Sequence, residues 1–154
     1  MDKETILKKS PLFKGVSNAA AALLSAAAEI IEFSEGETLF NEGAKPERLF
    51  IVTSGGVDLI KRMDDKKGLI LLKIEPFEEV ELNNFMDAKP YFLSAMAPDD
   101  ASVLAITKHD LWGILAQDPE SEHAFLINVI REQSDTLRRI NERFREFLAQ
   151  VLTP

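Results

Sequence analysis

The residues with the most chemical potential lie between Ile74 and Ala97. Glu75, Glu78, Glu79 and Glu81 come first, then Lys89, the only cation of that stretch, then the run Tyr91, Phe92 and Leu93. Carboxylates at this density suit a hard divalent cation, yet the stretch lacks an Asp-x-Asp loop or a comparable ligand spacing. The plainer reading is a solvated acidic edge, and no metal site is expected. Zinc and thiol chemistry are improbable, because the chain has no cysteine and only His109 and His123 offer imidazole. Neither histidine has neighbours that suggest a base with an orienting partner, and nucleophile-elbow and phosphate-cradling glycine patterns are missing. No catalytic residue is therefore expected, and the chain reads as a non-enzyme.

The whole chain narrows the choice further. Its 154 residues, 45% of them hydrophobic, suffice for one packed core but not for a second large domain. A net charge of −8 and a pI near 4.8 oppose direct nucleic-acid binding, which draws most of its affinity from Lys and Arg displacing counterions. The apolar run from Ala19 to Ala28 follows Lys8, Lys9 and Lys14, as in a signal peptide, but it is mostly alanine, begins late and is too short to span a bilayer. A cytoplasmic protein without membrane contact is the expectation.

Short elements must position these residues. The spacing predicts a helix over residues 2–9 that Pro11 ends. A second helix, capped by Ser17 or Asn18 and reaching Ile31, would put Leu23, Leu24, Ala27, Ile30 and Ile31 on one face. From Phe33 onward, turn residues including Gly36, Gly43, Gly55, Gly56 and Gly68 bound the apolar runs Thr38 to Phe40, Leu49 to Val52, Val57 to Ile60 and Leu69 to Leu72, which read as strands. Val57 and Leu59 alternate with Asp58, which predicts one buried and one wet face. Met63 to Gly68 reads as a solvated hairpin tip, and Ser102 to Ile106 as a further strand. Thr107 is placed to cap a helix through Leu115.

Asp118-Pro119-Glu120 then opens a helix that meets no breaker before Thr153. At some 30 residues it would measure about 45–50 Å, longer than this domain needs. The organisation is therefore read as residues 1–117, helices and strands, followed by 118–152, one long helix. On it Ile130, Gln133, Leu137, Ile140, Phe144, Phe147 and Val151 recur at alternating steps of three and four. This is a heptad seam, with Gln133 as the polar position that would set register in a parallel homodimer. The competing reading packs the stripe on the chain's own strands.

The segments Phe33-Ser34-Glu35-Gly36-Glu37-Thr38-Leu39-Phe40-Asn41-Glu42-Gly43 and Leu49-Phe50-Ile51-Val52-Thr53-Ser54-Gly55-Gly56-Val57-Asp58-Leu59-Ile60 match the turn-glycine and strand spacing of a known family. Nearly the whole chain resembles a cyclic nucleotide-binding domain of the catabolite activator and nitrate/oxygen regulator family. The resemblance implies a mainly β fold with flanking helices: a double-stranded β-helix or jelly roll, N-terminal helices and a long C-terminal dimerisation helix. In that family a Gly-Glu pair and a later arginine hold the cyclic nucleotide, glutamate on the ribose and arginine on the phosphate. Anchoring at Glu75-Pro76 and at Ala97-Pro98-Asp99-Asp100 puts Glu81-Leu82 at the Gly-Glu pair and Tyr91 at the arginine. No arginine lies between Arg62 and Arg131, so the phosphate-binding cassette is degenerate.

The resulting expectation is a non-enzymatic regulatory or interaction module that does not bind cyclic nucleotides by the usual contacts and carries no cofactor. Tyr91, Phe92 and Leu93 would fill the pocket with their own side chains. The alternative is a cyclic AMP or cyclic GMP sensor in which Glu81 and Leu82 flank the ligand, Lys89 or Arg131 replaces the arginine, and Ser134 or Thr136 meets the base. Transcription factors of this family continue into a helix-turn-helix where this sequence stops, so output is expected from a protein partner or from a further part of a longer chain.

Overall fold

A computed structural model of the chain describes residues 1–64 and 68–153. Helix α1 (Lys3–Lys9) is capped by Asp2 and followed by a 3-10 turn at Pro11–Phe13, and α2 (Asn18–Ala27) is capped by the Ser17 side chain. Strands β1 (Glu29–Phe33), β2 (Thr38–Phe40), β3 (Arg48–Ser54), β4 (Val57–Arg62) and β5 (Gly68–Ile74) follow. A short helix α3 (Leu82–Asp87) precedes β6 (Ser94–Met96) and β7 (Ala101–Thr107), and α4 (Lys108–Leu115) and α5 (Pro119–Leu152) complete the chain. The strands form two antiparallel sheets, in the orders β1-β7-β3 and β2-β6-β4-β5. This is the jelly roll with flanking helices and a long C-terminal helix that the sequence implies.

Strands β3 and β7 divide the interior. Leu49, Ile51, Leu104 and Ile106 pack under the helices with Leu7, Leu12, Leu24, Leu111 and Phe125. Val52 and Val103 face the other way, into the roll, with Val57, Leu59, Leu72, Ile74 and Phe40. Both faces of these strands are therefore buried, which explains their near-continuous apolar sequence. The corners are turned by Gly36, Gly43 and Gly55, with φ of 84°, 84° and 71°. At Gly55 a Cβ would also come within 2.5 Å of the Asp100 carbonyl oxygen, so two turns touch where only glycine fits.

Two expectations are corrected here. The second helix does not reach Ile31: it ends at Ala27, and Ile30 and Ile31 pair with Leu104 and Val103 in β1. Their β-branched side chains suit a pleated surface, and pairing with β7 outweighs their helical spacing. Asp58 is not on a wet face. It is buried opposite Lys73 of β5, whose Nζ donates to its carboxylate at 3.2 Å while most of the lysine stays in solvent. Of the anticipated hairpin tip, Asp65, Lys66 and Lys67 fall outside the described residues.

The start of α5 is locked to the N-terminal helices. Asp118 accepts from the Ser121 amide and, at 2.6 Å, from the Ser17 hydroxyl, so one carboxylate joins two helix caps. Buried Asn128 donates to the carbonyls of Leu12 and Lys14 at 3.0 and 2.7 Å. Beyond this anchor Ile130, Leu137, Ile140, Phe144, Phe147 and Val151 stand open to solvent, each 46–62% exposed, rather than against the chain's own sheets. Leu126 extends the same stripe. Gln133 departs from the seam expectation in being half-buried at the border between this stripe and the roll.

Candidate functional site

The segment after β5 is attached to the edge of β3 as an extra rung. The Phe77 amide donates to Val52 O, the Val52 amide to Glu78 O at 3.0 Å and the Val80 amide to Phe50 O at 2.9 Å, with Glu79 bridged to Ile51. The rung turns Val80 into the roll and leaves Glu79 facing α5. Glu81 then caps α3 in the left-handed region, φ 52° and ψ 50°, without a side-chain cap bond. A glycine holds that conformation without strain and a glutamate does not. The sequence resemblance set this residue opposite the family's glycine, an expectation with which its left-handed backbone is compatible.

Between this segment, β5 and α5 lies a cavity of about 220 Å³. Its lining combines the apolar Leu59, Leu72, Ile74 and Leu82 with Glu78, Glu79, Glu81, Glu132 and Asp135 and with Asn83, Gln133, Thr136 and Arg139. Arg139 is committed: it donates to Glu78 Oε2 at 2.9 Å and to the Lys73 carbonyl at 2.9 Å. Glu79 is 8% exposed, and its Oε2 is the one buried side-chain oxygen among the described residues without a hydrogen-bond partner. Burial, reinforced by Glu132 and Glu78 and opposed by Arg139, pushes its carboxyl up to about 7. Burial alone takes Glu81 to about 7. Glu132 is raised too, by burial and then by Asp135 and Glu78, with contacts to the Glu79 carboxyl and Arg139 offsetting part of this. The acidic residues are thus not the solvated edge expected from sequence, since of the four only Glu75 is exposed.

The predicted pocket residues separate into three groups. Glu81, Leu82 and Thr136 line the cavity, as does Gln133. Tyr91 and Leu93 are buried in the roll instead, where Tyr91 stacks on Phe40 with ring centroids 3.6 Å apart. Burial and then Glu81 push the Tyr91 phenol upward. Phe92 is no plug: it is 61% exposed and lies under Lys61 Nζ at 3.9 Å. Lys89 and Arg131 are exposed and, like Ser134, not among the lining residues. The guanidinium at the cavity belongs to Arg139, which the sequence reading missed along with Glu132 and Asp135. Glu132, Thr136 and Arg139 recur at steps of four and three and so share one helix face, a signal the heptad pattern beside it obscured.

The profile of the cyclic nucleotide-binding domain family matches residues 30–118, more than half the sequence. The chain belongs to this family. A CRP-like cAMP-activated global transcriptional regulator of Mycobacterium tuberculosis is 26% identical over 145 residues, 94% of this chain but 63% of the regulator. The anaerobic regulatory protein of Bacillus subtilis is 32% identical over 71% of this chain and 45% of its own length. Among solved structures, the N-terminal domain of a transcriptional regulator from Streptomyces coelicolor superposes with a TM-score of 0.73 at 30% identity, covering 85% of this chain and 94% of that one. The chain therefore spans less than two thirds of the curated regulators it resembles. For this cyclic nucleotide-binding-like domain, no helix among the described residues is long and apolar enough to cross a membrane, and no group of His, Asp or Glu among them could hold a metal ion.

Proposed function

We propose that the chain is a non-enzymatic regulatory module that keeps the cyclic nucleotide-binding fold without its usual nucleotide contacts, and that it dimerises through α5. One observation carries the first part. Where a cyclic phosphate needs fixed positive charge, the cavity offers Glu79, Glu81, Glu132 and Asp135, and its one guanidinium is already shared between Glu78 and Lys73 O. These residues do not fit a cyclic phosphate. At about 6 Å and an effective dielectric near 20, each ionised carboxylate repels a phosphate by roughly 3 kcal/mol, about a hundredfold in affinity.

Thermal melting at about pH 8 tests this, because a ligand at a hundred times its dissociation constant adds about 2.7 kcal/mol, several degrees for a domain of this size. Millimolar cyclic AMP or cyclic GMP is expected to leave the melting temperature unchanged, and a clear rise would overturn the reading. A second reading, a nucleotide sensor, draws on Thr136 and Arg139 at the cavity. It requires nucleotide binding that Arg139→Gln abolishes.

The open stripe of α5 supports the dimer, since six apolar side chains at heptad spacing stand unpartnered on the one chain. Leu137→Glu with Ile140→Glu should convert a dimer to a monomer in sedimentation, and an unchanged molecular weight in the double variant would refute the seam. In this reading regulatory output passes to a protein partner or to a further part of a longer chain.

A further inference from the structure

We propose that the open edge of the roll at β1 and β2 binds an aryl carboxylate, its rings against the aromatic side chains there and its carboxylate on Lys45. The site uses other residues than the cavity at α5 and goes beyond the function proposed above.

The sheet edges are finished differently. The outer edge of β3 carries the rung of residues 77–80. At β5, Arg139 and Arg143 of α5 donate to the carbonyls of Lys73 and Ile70 at 2.9 and 3.2 Å. Strands β1 and β2 also end their sheets, and among the described residues no strand pairs with their outer edges. Ile31 and Phe33 of β1, Leu39 of β2 and Phe50 of β3 pack against the core of the roll, yet each stays only half-buried. These four line one groove of about 340 Å³ together with the buried Phe40 and Tyr91. That volume falls within the roughly 300–1,000 Å³ of small-molecule pockets. Phe40 stacks on Phe50 and on Tyr91 with interplanar angles of 23° and 8°. Rings so nearly parallel offer faces on which a further flat ring can stack.

Charge selects the other end of the ligand. Lys45, Glu47 and Arg48 line the same groove, and all three also line an adjoining cavity of about 420 Å³ with Lys108 and His109. An apolar groove and a basic cavity therefore meet at shared residues, which fits a ligand with an apolar body and an anionic end. Of the cations, Arg48 is paired with Glu29 at 2.6 Å and Lys108 lies over the Phe85 ring. Lys45 is exposed and makes no ion pair among the described residues. One free ammonium near Glu47 balances a monoanion but not the double charge of a phosphate monoester.

The test uses the 154-residue chain with naphthoate and indole acetate as probes, at neutral pH and fixed ionic strength. Millimolar concentrations of either acid should raise the melting temperature by a few degrees. Naphthalenemethanol lacks the charge, naphthylmethylamine reverses it and sodium acetate lacks the rings, so each should give less than half that rise. In amide NMR spectra the shift changes should centre on residues 31–33, 39–50 and 91, not on the open stripe at 137–151. Calorimetry should show at least fivefold weaker binding in Lys45→Glu, which alters only an exposed side chain, and in Phe50→Leu, which stays apolar but removes a ring. No rise with either acid, an equal rise from the alcohol or the amine, amide changes centred on α5, or full affinity in either variant would overturn the proposal.

Discussion

The β3–β7 pair and the wall formed by β5, α3 and α5 are built from the same chain to opposite rules. In the first, Leu49, Ile51, Val52, Val103, Leu104 and Ile106 are buried and apolar, and every neighbour rewards that burial. In the second, burial falls on Glu79 and in part on Glu81 and Glu132, so that packing opposes charge. The first region is what a domain needs in order to fold. The second costs stability and is held in place by the first, through the rung on β3. Such a division marks the wall as the part shaped by something other than stability.

Substitutions should separate the two regions. Leu104→Ala, in the centre of β7, removes a fully buried side chain and should cost about 4 kcal/mol in urea unfolding, at all pH values where the protein folds. Glu79→Gln should do the reverse, with a pH dependence. The folded-state carboxyl titrates near 7 against 4.5 for the free group, so the folded state holds its proton more tightly and the wild type loses stability as pH rises through that interval. The glutamine variant should therefore gain about 2–3 kcal/mol at pH 8 and almost nothing near pH 4. A gain that does not depend on pH would mean that the carboxyl is not the source of the cost.

The smallest effect distinguishes backbone from charge. Glu81→Gly relieves a left-handed φ of 52° and should stabilise by about 1 kcal/mol even near pH 4, where Glu81 is protonated in both states. Glu81→Gln keeps the strain, so at that pH it should be neutral. Equal behaviour of the two in thermal melts would leave the backbone of Glu81 unstrained.

What the sequence disclosed follows the same division. Turn glycines, strand runs and the Asp118-Pro119 helix start were legible because residue type and environment agree there: Gly36, Gly43 and Gly55 do adopt positive φ, and Asp118 does cap α5. Ile30 and Ile31 misled because they satisfy helical spacing by coincidence while their partners in β7 lie some seventy residues away. Asp58 and Glu79 misled because a charged side chain reads as solvated unless its burial is known, and burial is set by tertiary contacts. At the cavity Arg139 was hidden for a related reason. Its role depends on which face α5 turns toward β5, and the stronger apolar period of Leu137, Ile140 and Phe144 describes a neighbouring face.

Helix α5 runs unbroken from its Asp118 cap to Leu152, clamped at one end by Asn128 and touched midway by the cavity at Thr136 and Arg139. Mechanically it is a rod with a fixed pivot and a free end. From Arg139 to the last turn is about 20 Å at 1.5 Å per residue, so a tilt of about 5° at the cavity displaces the tip by about 2 Å, roughly the reach that separates a packed side-chain contact from a broken one. Whatever occupies the cavity has leverage over the angle at which the rod leaves the domain, and two such rods lying together would report that angle as a change in their spacing.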